Sequence, residues 1–543
     1  MLGPHSRREF LRRSAVVAGA GLAAPWALDL AGLASAAPPG NDYRALVCLF
    51  MFGGNDHYDT FVPNDASSYA AYRRSRTGID RSLESILPIS PVGGFSGAGT
   101  FGFAPELGDL KQIFDEGALA VMANIGTLVR PIDKAGFGNR SNRPPQLFSH
   151  NDQQSYWQSS SPEGATTGWG GRIGDLLLDS NAATTFTCVS VAGNAVLMTG
   201  RDAYQYQVSS RGVTQLSEDT FRHAPAAAGV REIMELQPSE LFPSTYSTVS
   251  RRALDTADEL SSAVALADGR HDFDALFPGD SGNNDLDRVS SQLKMVARMI
   301  AAGRDTLGLR RQVFFVSMGG FDNHNGLVQR HPELLAGLNG SLATFHRATQ
   351  QMGIVDDVTT FTASDFGRTL TSNGDGSDHG WGGHHIVMGG SVRGKRVYGS
   401  VPTIADDGPD DVGRGRLLPS TSVDQYASTL AAWMGVGSSE LSAVVPNIGN
   451  YSVTDLGFMR QPADPPDPDN PTVPVETTVP VDTTSPVDTT SPVDMTSPDD
   501  PTGPVDPKSP VDPKSPGGTD GGADGIYEPT EGELKPAVRL GTP

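Results

Sequence analysis

The sequence predicts an α/β fold on a mostly parallel central sheet, and three observations carry that prediction. Uninterrupted apolar runs of strand length recur at 44–52 (RALVCLFMF), 118–125 (ALAVMANI), 184–191 and 312–318 (QVFFVSM), with a β-branched run at 358–362. Apolar runs without polar alternation suit strands covered on both faces, as in parallel sheets. Helical patterns lie between them. Acids and histidines gather just beyond the strand ends, the edge where open α/β sheets bind ligands.

The first strand, 44–52, ends in Gly53-Gly54-Asn55-Asp56, followed by His57 and Asp59. Asp56 is a candidate ligand there, although GGND alone equally serves a turn or a helix cap. Residues 106–114 read as a short helix feeding the strand at 118–125. A polar stretch then carries Ser149, His150 and Asp152. Their adjacency is not a catalytic triad, whose members normally come from separate elements. A helix N-cap at Ser149 or Asn151 explains them equally well. The run at 184–191 is the third strand.

Residues 200–300 look mostly helical and form a candidate insertion on the sheet. Within them Leu286, Val289, Leu293, Val296, Met299 and Ile300 recur at spacings of three and four, one apolar helix face. The strand at 312–318 ends in Gly319-Gly320-Phe321-Asp322-Asn323-His324. Asp322 and His324 stand two apart, so an extended chain projects both to one side. A carboxylate and an imidazole together suit a divalent ion. A helix over 332–352 follows, with His331 and His346 at its end or surface and without a role.

The richest stretch is 361–399. A strand ends at Asp365, and a glycine-rich loop then holds Asp378, His379, His384 and His385. Glycines allow tight backbone paths and leave room for ligands. A last helix spans 423–434. Asp56, Asp322 and Asp365 thus come from three separate strands, and their convergence is the main argument for a single site.

Composition bounds the partners. The 543 residues carry a formal charge of −22 and are 37% hydrophobic. Such acidity argues against nucleic acid and against an anionic membrane surface. An anionic substrate remains compatible, because a bound cation inverts the local charge. The two cysteines, Cys48 and Cys188, sit in apolar strand-like runs and read as buried thiols.

Both ends carry distinct signals. Ser6-Arg7-Arg8-Glu9-Phe10-Leu11-Arg12, an Ala/Gly-rich apolar stretch and Ala34-Ser35-Ala36 match a twin-arginine export signal with a small-x-small cleavage site. Pro25 and Asp29 interrupt the apolar stretch, so no integral span is expected in the mature form. The twin-arginine translocase is the expected export partner, and the periplasm, cell wall or medium the destination. From about residue 461 the composition changes, and prolines recur every six residues from Pro480 to Pro516, mostly in Pro-Val-Asp units, three of them Ser-Pro-Val-Asp. That composition cannot form a packed core and predicts a disordered, extended tail. The expected organisation is a signal at 1–36, a folded body at 37–460 and a tail at 461–543.

Taken as a set, LFMFGGNDHYDTFVPND, SHNDQQSYWQ, GGFDNHN, SDFGRT, SNGDGSDHGWGGHHIVMGGSVRGKRVYG, AAWMGV and VVPNIGNY are specific. The chain resembles the bacterial family called domain of unknown function 1501, within the alkaline phosphatase/sulfatase superfamily. The resemblance covers roughly residues 45–458. It implies an alkaline phosphatase-like α/β/α sandwich and a divalent-metal site that transfers phosphate or sulfate esters through a Ser or Thr nucleophile. Carried over by position, it implies metal ligands at Asp56, Asp322, His324 and Asp365. Phe366 stands where the phosphatases usually have histidine, and His379 or His384 supplies the remaining imidazole. No nucleophile motif matches; Ser149 is the candidate, with His150 beside it. The expected cofactor is zinc, calcium or magnesium, and the expected substrate a small-molecule or polymeric ester. A non-catalytic surface protein that binds polysaccharide or protein on a degenerate hydrolase fold is the alternative.

Overall fold

In the chain's computed structural model, residues 42–213, 229, 232, 241–278 and 285–460 are described. The expected export signal, the expected tail and parts of the expected insertion at 200–300 lie outside the described residues. Every described residue belongs to the unit Met1–Pro474.

Nine strands form the central sheet. They are β1 (Arg44–Met51), β2 (Leu119–Gly126), β3 (Cys188–Ser190), β4 (Gln205–Gln207), β5 (Arg311–Met318), β6 (Val358–Ser364), β9 (Gly383–Met388), β10 (Arg396–Gly399) and β11 (Thr421–Ser422). A separate two-stranded hairpin, β7 (Arg368–Ser372) and β8 (Ser377–His379), stands between β6 and β9 in the chain. The sheet order is β10-β2-β9-β6-β1-β5-β3-β4, and β11 also pairs with β2. β1 pairs in parallel with both β5 and β6, placing Val47 opposite Phe314 and Thr360. Only β9 runs antiparallel to its neighbours.

The apolar runs are continuous because each strand feeds two cores. Ala45, Val47, Leu49 and Met51 of β1 enter one cluster, while Leu46, Cys48 and Phe50 enter the other. The first core receives α1 (Gly108–Asp115), α4 (Leu241–Asp268), α5 (Asp285–Asp305) and α6 (Leu327–Gln351). The second receives α2 (His150–Ser159), α3 (Trp169–Leu177) and α7 (Val423–Met434). The result is an α/β/α sandwich with a mostly parallel sheet. A capping box between Ser422 and Gln425 starts α7, and a short helix at Leu441–Val444 follows it.

Several elements depart from the sequence reading. The third strand is confined to Cys188–Ser190, because Thr187 Oγ1 donates to the Thr184 carbonyl (2.7 Å) and closes a turn there. The glycine-rich segment after Asp365 is not one loop. Glycines at 380, 382 and 383 lead directly into β9, so His384 and His385 lie in the sheet and are buried. His331 and His346 are not surface residues; both are buried. α6 begins at Leu327, five residues before Pro332, so His331 points inward, with Nδ1 2.7 Å from Asp59 and Nε2 3.0 Å from Asn55. Cys48 and Cys188 are free, buried thiols. No helix of the described residues is long and apolar enough to cross a membrane.

Candidate metal centre

Four segments meet above the carboxyl ends of β5 and β6. The turn after β5 supplies Asp322 and His324, the end of β6 supplies Asp365, β8 supplies His379, and the start of α2 supplies His150. Close backbone packing lets the turns approach. Gly53 has φ +112°, and a Cβ there would lie 2.4 Å from the Asp322 nitrogen.

Three imidazoles converge on the Asp322 carboxylate. His324 Nε2 is 3.2 Å and His379 Nε2 3.4 Å from its Oδ1, and His150 Nε2 is 3.6 Å from its Oδ2. The Nε2 atoms of His324 and His379 face each other at 2.9 Å. Each ring is held by an acceptor at Nδ1. His150 pairs with Asp365 Oδ2 at 2.6 Å, His324 with Asp378 Oδ1 at 3.0 Å, and His379 with the Phe148 carbonyl at 2.7 Å. A carbonyl or carboxylate only accepts, so each neutral ring carries its proton on Nδ1 and turns the Nε2 lone pair inward.

That arrangement tests whether a cation fits. Two Nε2 lone pairs at 2.9 Å repel unless a proton or a metal ion lies between them. The edge of a tetrahedral zinc site with bonds of 2.0–2.1 Å is about 3.3 Å. The 3.2, 3.4 and 3.6 Å separations to Asp322 lie close to that edge. His150, Asp322 and His379 also group within 4.8 Å by their ligating atoms. That group of two imidazoles and a carboxylate could hold a divalent ion, with the His324 imidazole beside it.

The surrounding electrostatics hold the set in place. Burial pushes the Asp322 carboxyl up, but the bond to Arg368 together with the charges of Arg368, His324 and His150 holds it below the usual range. Arg368 is buried and also donates to the Gly53 and Ser377 carbonyls. The Asp365 bond raises the His150 pKa, whereas burial lowers that of His379. Asp322 keeps 45% of its side chain exposed, so the cluster opens to solvent, as reactive metal sites do. Phe148, which holds His379, has φ +75°, an uncommon conformation for a bulky residue.

Of the remaining sequence candidates, Asp365 lies behind His150 in the cluster, and the others have different partners. Asp56 is buried beneath the cluster: Oδ1 accepts from the Tyr58 and Asp59 amides, and Oδ2 pairs with Arg76 (2.7 Å) and accepts from Ser377 Oγ (2.6 Å). Asp365 touches His150, Gln154 and the Gly53 amide through Oδ2. His384 is buried against Phe61, Phe101 and His57, and its Nδ1 accepts from the Asn124 amide. Ser149 occupies the N-cap position of α2 and donates to Asp152 Oδ2 at 2.9 Å. The sequence reading passed over Arg368, Gln154 and the Phe148 carbonyl. Only Arg368 had a visible signal, its place in SDFGRT.

Replacing Asp365 by Asn removes the charge that orients His150 while keeping the shape. Metal affinity, measured by competition with a chelator, is expected to fall about 10–100-fold, the usual cost of an altered outer partner.

Solved structures similar to this chain include the PsFucS1 sulfatase from Pseudoalteromonas sp., 9% identical, matched over 77% of this chain and 73% of that one with a TM-score of 0.34. Another is a mutant of the alkaline phosphatase PafA, 10% identical, matched over 61% and 64% with a TM-score of 0.25. The lipoteichoic acid synthase LtaP from Listeria monocytogenes is 7% identical, matched over 70% and 74% with a TM-score of 0.27. No curated protein matches the chain. Residues 43–443 match the family model described as a protein of unknown function, DUF1501. That span contains His150, Asp322, His324, Asp365 and His379, and the chain belongs to the DUF1501 family.

Proposed function

We propose that the chain is an exported metal-dependent hydrolase of phosphate or sulfate esters. The observation that supports this most is the inward convergence of three Nδ1-anchored imidazoles on one solvent-open carboxylate. His150, Asp322, His324 and His379 would hold a divalent ion. Asp56 and His384 are left outside this set, since both have other partners. When bound, such an ion supplies Lewis acidity toward an ester oxygen and lowers the pKa of a water.

The chain's own groups do the rest. Asp365, Asp378 and the Phe148 carbonyl keep protons on Nδ1 and so keep Nε2 available. Arg368 fixes the Asp322 carboxylate. Asp365 thereby acts as a positioning residue for His150 and not as a ligand in this proposal. Ser149 is the proposed attacking hydroxyl, with Asp152 Oδ2 placed to accept its proton. The export signal and the tail lie outside the described residues, and export rests on the arginine pair and apolar stretch of the sequence.

The non-catalytic reading draws on one observation: Asp56, where the superfamily pattern implies a ligand, is fully engaged with Arg76, Ser377 and two amides. One experiment separates the two. Elemental analysis of protein purified without added metal or chelator is expected to find stoichiometric zinc or another divalent ion. A panel of phosphate and sulfate esters is expected to show turnover that a chelator abolishes. Bound metal with no turnover across the panel supports the binding protein. A well-folded protein without metal overturns the metallohydrolase.

A further inference from the structure

The chain is strongly acidic overall, yet two arginines are stacked on aromatic rings beside the imidazole cluster. The Arg416 guanidinium carbon lies 4.0 Å over the Phe148 ring, and Nε donates to the His379 carbonyl at 3.2 Å. Phe148 and His379 are the pair joined at Nδ1 in the cluster, so Arg416 adjoins it directly. Arg143 repeats the arrangement 4.3 Å over Phe137, whose ring is 5.7 Å from Trp381. Phe137, Phe148 and Trp381 pack in one apolar cluster with Leu128 and Leu418, so both stacks rest on one platform. Lys134 Nζ donates to the Asp407 and Gly408 carbonyls (3.1 and 2.8 Å), tying the loop of Arg143 to the segment that leads to Arg416.

Asp378 and Asp411 lie close enough to raise the Arg416 pKa against its burial, but the hydrogen bonds of the nearby carboxylates run to other groups. Asp411 accepts from the amides of Asp407, Gly413 and Gly415. Asp133 accepts from the Gly136 amide, and Asp378 Oδ1 faces Asn373 and His324. Among the described residues no ion pair joins Arg143 or Arg416 to a carboxylate. A stacked guanidinium spends its face on the ring and keeps edge N–H donors for an oxyanion.

We propose that Arg416 and Arg143, stacked on Phe148 and Phe137, form an anion-binding rim that selects esters carrying more than one sulfate or phosphate group. Arg416 takes the anionic group nearest the cluster. Arg143 takes a second one on the same chain, which points to a polymeric or multiply substituted substrate. Calling that ligand a substrate rests on the hydrolase reading above; its binding does not require the metal.

The test uses dextran sulfate and a polyphosphate chain as probes, with neutral dextran as control, titrated calorimetrically into the mature protein at fixed ionic strength. The variants are Arg143→Gln, Arg416→Gln and their combination, each also assayed for metal content and for folding by circular dichroism. Wild type is expected to bind a polyanion and ignore neutral dextran. Each Gln variant is expected to bind about tenfold more weakly, as the loss of a charge-assisted hydrogen bond implies, with metal content unchanged. Preference for dextran sulfate assigns the rim to sulfate esters, and preference for polyphosphate assigns it to phosphate esters. Equal binding by wild type and the folded double variant overturns the rim. Polyanion binding by a wild-type protein that holds no metal keeps the rim and rejects the hydrolase.

Discussion

Replacing His379 by alanine is expected to abolish stoichiometric metal binding and all ester turnover while leaving the fold intact. The side chain is 23% exposed and stands on a hairpin outside the central sheet, so its removal opens little internal space. Its loss removes one of three inward lone pairs, and His324 Nε2 then faces no second imidazole at close range. The fall in affinity should exceed the ~10–100-fold expected for an outer partner, because a direct ligand is lost. His324→Ala should give the same result, and the double variant should be no worse than either single one, since the groups act as a unit. Elemental analysis and a chelator-competition curve measure both effects. Full metal content in folded His379→Ala protein would remove the cluster as the binding site.

Asp56→Ala is expected to be the most destabilising single change near the site. Arg76 is fully buried and pairs with Asp56 at 2.7 Å. Burial alone would lower the Arg76 pKa, but the Asp56, Tyr72 and Asp59 charges and the hydrogen bond to Asp56 together raise it above its ordinary value. Deleting the carboxylate leaves a buried cation without its partner, which costs about 3–5 kcal/mol. It also removes the cap on the Tyr58 and Asp59 amides, at about 1 kcal/mol. Denaturant unfolding should be run on metal-free protein, so that metal binding does not mask the difference. Replacing both partners by apolar residues, Asp56→Leu with Arg76→Met, should recover part of the loss. If Asp56 instead ligated a metal, its removal would deplete metal with little effect on metal-free stability, so the two roles separate cleanly.

The sheet was largely legible because its strands are buried on both faces, and such strands read as unbroken apolar runs. β1 and β5 are visible in the sequence for that reason, and α7 because its apolar face and its cap agree. Asp322 and His324 meet in a tight turn, with the His324 amide 3.1 Å from the Asp322 carbonyl, and not in the extended chain their spacing of two suggested. Much around the site was hidden for physical reasons. Arg76 stands in AAYRRSRTG, the third of three close arginines, and only the tertiary structure shows it fully buried. His384 and His385 follow so many glycines that β9 resembled a loop. His150 was read beside Ser149, yet the first turn of α2 sends the two side chains to different partners, Asp365 and Asp152. The acceptor for His379 is a main-chain carbonyl, which no side-chain pattern announces.

The position of β1 also sets a timetable. Its two neighbours, beginning at Arg311 and Val358, are synthesised long after it. At ribosomal speeds of ~5–20 residues per second, roughly 13–50 s separate the emergence of Arg44 from that of Arg311. Throughout that interval the most apolar strand of the sheet has neither edge paired and is open to wrong partners. The last imidazole of the cluster arrives later still, at His379. Metal therefore cannot be captured by a nascent half-chain, and the centre is completed only after the sheet has closed around its oldest strand.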